Sequence, residues 1–186
     1  MKLMVMNNDN GRIVTRLMAD STTLRSGQPF FVPDHAPRFA VTPMLALRVG
    51  RLGKCIAPRF AHRYIDAVTA AFIVTPTDLD GNPLDLDGMA AVTDGTAMMG
   101  AMTTVNAQQP LPAMTWSHND CEHTLDTASL CPTPAQAIEH ISRYCTLKMG
   151  DIVCLSPLGT QPVPIAIDDH LTASIGGKQV LTNKIK

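Results

Sequence analysis

Ala40-Val41-Thr42-Pro43-Met44-Leu45-Ala46-Leu47-Arg48-Val49-Gly50-Arg51 decides the fold. Its apolar and β-branched residues read as one long strand that stops at Gly50. Pro43 lacks a ladder donor, which predicts an edge or a bulged strand. Downstream, Pro58 suits the first position of a helix, and Phe60, Tyr64, Val68 and Ala71 follow at helical spacing. That spacing predicts a helix with His62 and Asp66 on its solvent side, handing over to a buried strand at Phe72-Ile73-Val74.

Outward from there the chain is mostly β. Met1–Met6 and Arg12–Met18 alternate apolar and polar residues around Asn10-Gly11, as a hairpin would. Phe30-Phe31-Val32 is a third strand, stopped by Pro33. Residues 78–88 read as a loop from their Asp, Gly and Pro content, and residues 107–135 as loop-rich, with four prolines and few periodic stretches. Thr133, Pro134 and Gln136 form a capping box for a helix whose inner face carries Ile138, Ile141 and Cys145. Four strands close the chain: Asp151–Leu155, Val163–Ile167, Leu171–Ile175 and Lys178–Ile185. Gly176-Gly177 is the turn between the last two. There is no internal repeat and no linker, so the expectation is one domain over 1–186, α+β but mainly β, with two short helices.

Composition narrows the functions. The 186 residues are 45% hydrophobic and 17% charged, with a formal net charge of −1; this is a globular composition. No contiguous basic stripe predicts nucleic acid as a partner. No apolar run approaches the roughly 20 residues of a membrane span, and Met1–Met6 is too short for a signal core, so a cytoplasmic location is expected. Five scattered cysteines without a C-x-x-C pair fit reduced thiols.

Three stretches then carry a resemblance. They are Ser26-Gly27-Gln28-Pro29-Phe30-Phe31-Val32-Pro33-Asp34 with Leu45–Lys54, Phe60–Tyr64 running to Thr75-Pro76-Thr77-Asp78-Leu79, and Tyr144–Val153 with Leu181–Lys186. In this order they resemble the fumarylacetoacetate hydrolase family, in its 2-hydroxyhepta-2,4-diene-1,7-dioate isomerase and acylpyruvate hydrolase branch. The resemblance implies a mixed β-sheet roll, usually a homodimer. It also implies Mg²⁺, Mn²⁺ or Ca²⁺ chemistry on oxo- or enol-acids, the metal acting as a Lewis acid and a base activating water.

The same resemblance places the family's metal ligands, a Glu-x-Glu pair and an Asp, on Thr42, Met44 and Ile73. Residues i and i+2 of a strand share a face, and hard cations want oxygen ligands. A hydroxyl, a thioether and a hydrocarbon do not supply them. The catalytic lysine falls near Ala91, and the His-bearing lid after the first strand is missing. The expectation is therefore a pseudoenzyme with no catalytic residue and no metal cofactor. Its role would be structural, regulatory or partner-binding, as a homodimer or a heteromer with an active paralogue.

Two alternatives stay open: a hydrolase or isomerase re-tooled around Asp94 or a histidine of 118–123, and a non-catalytic small-molecule binding module. Thr75, Thr77, Asp78, Asp94 and Thr96 match polar positions around the family cleft and would mark a vestigial pocket. His118, Cys121, His123 and Cys131 have zinc-type donors, but without paired short spacings they read as surface loop. Asp78-x-Asp80-x-Asn82 hints at a calcium loop, with Pro83 and Met89 in the wrong places. His35 and His62 have no visible partner set.

Overall fold

A computed structural model describes residues 1–9, 11–84 and 86–186. The first hairpin pairs β1 (Leu3–Asp9) with β2 (Arg12–Met18); Asn10 of the expected turn lies outside the described residues. A short 3₁₀ turn, Asp20–Thr22, leads to β3 (Thr23–Arg25). Next come β4 (Arg38–Val49), β5 (Ile65–Thr77), β6 (Ala97–Met99) and β7 (Thr103–Thr104). The hairpin of β8 (Met114–His118) and β9 (Cys121–Leu125) precedes helix α1 (Pro134–Tyr144). The last strands are β10 (Ile152–Leu155), β11 (Val163–Ile165), β12 (His170–Ile175) and β13 (Lys178–Lys184).

The larger sheet runs β2-β1-β10-β4-β5-β6-β3, with β11 added to β4 and β7 to β5. It is mixed: β1–β10 and β3–β6 are parallel and the other pairs antiparallel. It cannot be flat. β2 and β3 lie at opposite ends of the path, yet only residues 19–22 connect them. That link reaches at most about 19 Å, whereas seven strands side by side span about 29 Å. The sheet therefore curls into a roll.

The two faces of the curl carry two cores. The inner one gathers Leu3, Val5, Met18, Met44, Ala46, Ala71, Ile73, Ala97, Met99, Ile152 and Cys154. All of them come from strands of this one sheet, so the curl itself removes them from water. The outer core, with Val41, Leu45, Phe72 and Met98, packs against α1 and the second sheet, β13-β12-β8-β9. The sheets meet closely at Gly100, whose N–H donates to Ala70 O while Ala101 N–H donates to Val180 O. A Cβ there would sit 2.6 Å from Thr69 Oγ1 and 2.9 Å from Val180 O. Thr69 cannot yield freely, because its hydroxyl donates to Ala101 O at 2.9 Å. Gly100→Ala is expected to cost about 2 kcal/mol by overpacking, read as a lower urea midpoint at unchanged slope.

Four expectations need correction. β4 is a central strand, flanked by β5 and by β10 and β11. Even-numbered residues of β5 bond toward β6 (Val74 N–H to Thr96 O), so the Pro43–Phe72 pair exchanges no bond. Pro43 faces the other way, where β10 pairs only from Leu45 and β11 only as far as Val41. Its missing donor falls in that gap.

The helix expected from Pro58 is a 3₁₀ segment, Pro58–Tyr64, and β5 starts at Ile65 rather than Phe72. The β-branched residues Ile65, Val68 and Thr69 and burial on both faces override the helical spacing. Phe30 alone of the third strand bridges, in parallel to Ile185. Residues 107–135 contain the β8–β9 hairpin, where a loop was expected. The helix expected after Thr133 is α1; its capping box forms as read, Gln136 N–H donating to Thr133 Oγ1.

Candidate functional site

The concave face brings together the three positions assigned to metal ligands. Thr42 and Met44 are alternate residues of β4, and Ile73 of β5 stands directly opposite Thr42, with Ala71 opposite Met44. Met44 and Ile73 are fully buried in the inner core, while Thr42 is half-buried at its mouth. Thr42 borders a cavity of about 160 Å³ with Asn8, Cys131, Ser156 and Thr160.

The donors do not fit a hard divalent cation. Met44 offers a thioether, Ile73 and Ala71 hydrocarbon, and Thr42 a neutral hydroxyl. Cys154, across the same core, is no substitute: burial pushes its thiol up to about 12, so it holds its proton at neutral pH. Among the described residues no group of three or more His, Cys, Asp or Glu side chains could hold a metal ion.

The other expected positions are distributed as follows. Ala91 ends the 3₁₀ segment Leu86–Ala91, and its carbonyl accepts from Ala19 N–H. Thr75 and Thr77 continue the Ile73 face of β5 toward the mouth; Thr77 is buried and Thr75 half-buried. Thr96 is buried, its hydroxyl donating to Thr93 O, whereas Asp94 is exposed. Asp78 turns inward on its own loop. The Asn82 side-chain amide, with the N–H groups of Asn82, Asp80 and Gly81, holds its carboxyl below the usual carboxylate range. Its oxygens are thus engaged in bracing the turn and leave no calcium loop.

His118, Cys121 and His123 share one face of the β8–β9 hairpin, where His118 pairs with Cys121 and Trp116 with His123. They are not gathered for zinc. His118 Nε2 lies 2.7 Å from Asp169 Oδ2, His123 stacks on Trp116 at 4.3 Å, and Cys131 N–H donates to Ser156 O elsewhere. Burial would raise the Asp169 carboxyl, but Asn119, Ala166 N–H and His118 hold it low, so the pair is an anchored clamp. His35 packs edge-on against Phe39, and His62 meets Gln108.

The sequence reading assigned no functional residue to the segment Ser156–Pro162. It crosses the gap that Pro43 leaves in the sheet and borders a cavity on each face, one with Thr42 and one of about 360 Å³ with Trp116 and His123. The available signal was Pro43 itself, a strand proline that requires an unpaired side.

Among the described residues, no helix is long and apolar enough to cross a membrane. No curated protein matches the chain. The family model for the fumarylacetoacetate (FAA) hydrolase C-terminal region matches residues 14–186. Solved structures agree on the fold. A 2-hydroxyhepta-2,4-diene-1,7-dioate isomerase from Mycobacterium marinum superposes with a TM-score of 0.83 at 22% identity, over 99% of this chain and 73% of that one. The 5-carboxymethyl-2-hydroxymuconate delta-isomerase from Mycobacterium smegmatis gives 0.79 at 18%, over 99% and 78%. The fumarylpyruvate hydrolase from Pseudomonas aeruginosa, solved with Mn²⁺ and pyruvate, gives 0.81 at 14%, over 100% and 89%. A curled mixed sheet with a buried concave face, matched by the family model over nearly its whole length, places this chain in the fumarylacetoacetate hydrolase family.

Proposed function

We propose that this protein is a non-catalytic member of its family, one that keeps the roll and works by assembly or binding rather than turnover. The carrying observation is the inner core. The positions assigned to the metal ligands adjoin one another as a site would, but in Met44 and Ile73 they present fully buried apolar side chains. A cation there would exchange water oxygens for a thioether and methyl groups, with an unfavourable desolvation term and nothing to offset it. Ala91 likewise supplies no proton carrier at the position assigned to the lysine. The remaining role is a homodimer, or a heteromer with a catalytically intact relative.

The test is direct. Purified protein equilibrated with excess Mn²⁺ and desalted should retain far less than one equivalent by elemental analysis. Acylpyruvate substrates should show no Mn²⁺-dependent hydrolysis above the buffer rate. One equivalent of Mn²⁺ together with EDTA-sensitive turnover would refute the proposal.

A further inference from the structure

A second site lies at the other end of the strands, where β4 finishes and β5 begins. From residue 35 to 65 the chain carries Arg38, Arg48, Arg51, Lys54, Arg59 and Arg63 and no Asp or Glu. The cations are spread along the sequence, so no basic run is visible in it. Folding gathers several of them. Arg59 and Arg63, on the 3₁₀ segment Pro58–Tyr64, both hold their guanidinium carbon 4.8 Å from the Phe60 ring centroid. Both guanidinium groups thus rest against one ring by cation–π attraction, and both side chains are exposed. Among the described residues, Arg51, Arg59 and Arg63 have no carboxylate partner.

These side chains edge two adjoining hollows that share His62, Ile65 and Ala107. One, of about 370 Å³, is bordered by Arg51 and Arg63; the other, of about 420 Å³, by Arg59, with Leu111 and Pro134 supplying apolar wall. Each volume lies within the range of small-molecule sites. The acidic side chain here is Asp66, and it is already neutralised. It stands at the β-bulge opposite Arg48 and receives both guanidinium hydrogen bonds, at 2.8 and 3.0 Å. What remains is uncompensated positive charge around an apolar floor, in a protein whose formal net charge is −1. Concavity favours a small molecule over a polymer, which would need an extended stripe.

We propose that this groove binds an organic anion with at least two negative groups on a compact apolar body. The anionic groups would sit on Arg51 and on the Arg59–Arg63 pair, and the body against Ile65 and Leu111. This site is remote in the fold from Thr42 and does not depend on whether the roll is catalytic.

The probe is naphthalene-1,5-disulfonate, titrated into the full chain by calorimetry and by amide NMR. One-site saturation is expected, with shifts centred on Arg51, His62, Ile65 and Ala107 and an affinity that falls as salt rises. The exposed pair R59A/R63A should melt as the parent does and bind about tenfold or more weakly; R51Q should weaken binding in the same sense. Lys178→Ala, at the start of β13, should bind normally. Inorganic pyrophosphate, with charge but no apolar body, should bind less tightly. Non-saturable binding, shifts elsewhere, or unaltered affinity in the arginine variants would overturn the proposal. So would pyrophosphate or short single-stranded DNA binding more tightly than the disulfonate.

Discussion

Asp151→Ala should be the most destabilising single replacement of a polar side chain, because one carboxylate closes the junction of three strands. Asp151 is 2% exposed. Its Oδ1 accepts from Lys2 N–H at 2.8 Å, and its Oδ2 accepts from Lys148 N–H at 2.8 Å and from Lys2 Nζ at 2.6 Å. Its own carbonyl accepts from Val49 N–H, at the end of β4, and Ile152 N–H beside it donates to Lys2 O, at the start of β1. Alanine would leave two backbone donors without a partner and an ammonium without its counter-ion. Breaking a buried pair from one side costs about 3–5 kcal/mol, and the partial exposure of Lys2 puts this case near the lower end. Asp151→Asn keeps one acceptor and should lose about 1–2 kcal/mol.

Lys2→Met, which removes the counter-ion but keeps both backbone donors on the carboxylate, should lose less than Asp151→Ala. Burial alone would raise the Asp151 carboxyl, but the Lys2 side chain and the two N–H donors outweigh it and hold it below its ordinary value. A carboxyl depressed in the folded state stabilises fully above its unfolded value, near 3.9. That contribution is lost as pH falls through the lower folded value. Urea midpoints for the parent should therefore drop below about pH 4, and Asp151→Ala should show less of that drop. Equal slopes in both proteins would remove Asp151 from the account.

Much of this architecture is legible in the residues. The capping box at Thr133, the Gly176-Gly177 turn and the alternation of Arg12–Met18 are local rules, and each appears where the sequence places it. The misreadings share a cause: tertiary context overrode a local signal. Pro43 looks like an edge residue because a proline needs an unpaired side, and the sheet supplies that side internally, between β10 and β11. Phe60, Tyr64, Val68 and Ala71 keep helical spacing, yet β5 is buried on both faces and needs apolar residues at nearly every position. The β8–β9 hairpin was hidden among prolines because its outer strand is mostly exposed and polar. The juxtaposition of Thr42 with Ile73 follows from the β4–β5 register, which periodicity does not give. The arginine groove was illegible for the same reason, since only folding brings Arg51, Arg59 and Arg63 to one place.

Restoring carboxylates tests the reading of the inner core from the opposite side. In T42E/M44E/I73D two of the three new acids replace fully buried apolar side chains, Met44 and Ile73. Without metal they repel one another and lose their hydration, so the variant should be destabilised in EDTA by about 3 kcal/mol or more. Mn²⁺ should reverse part of this, because three converging carboxylates suit a hard cation. A site that binds only the folded state regains about 2.7 kcal/mol when the ion stands at a hundred times its dissociation constant. The parent, with its thioether and hydrocarbon, should show no such metal response. Single variants locate the effect even if the triple variant folds poorly. Met44→Glu places an unpaired acid in the closed interior and should be far more damaging than Thr42→Glu at the half-exposed mouth. Chemical denaturation with and without Mn²⁺ measures all three. A triple variant with the same midpoint in Mn²⁺ and EDTA would show that Thr42, Met44 and Ile73 do not stand where a cation was once held. Recovery by Mn²⁺ would mean that the roll still holds the geometry of a metal site and that only the identity of its side chains keeps the ion out.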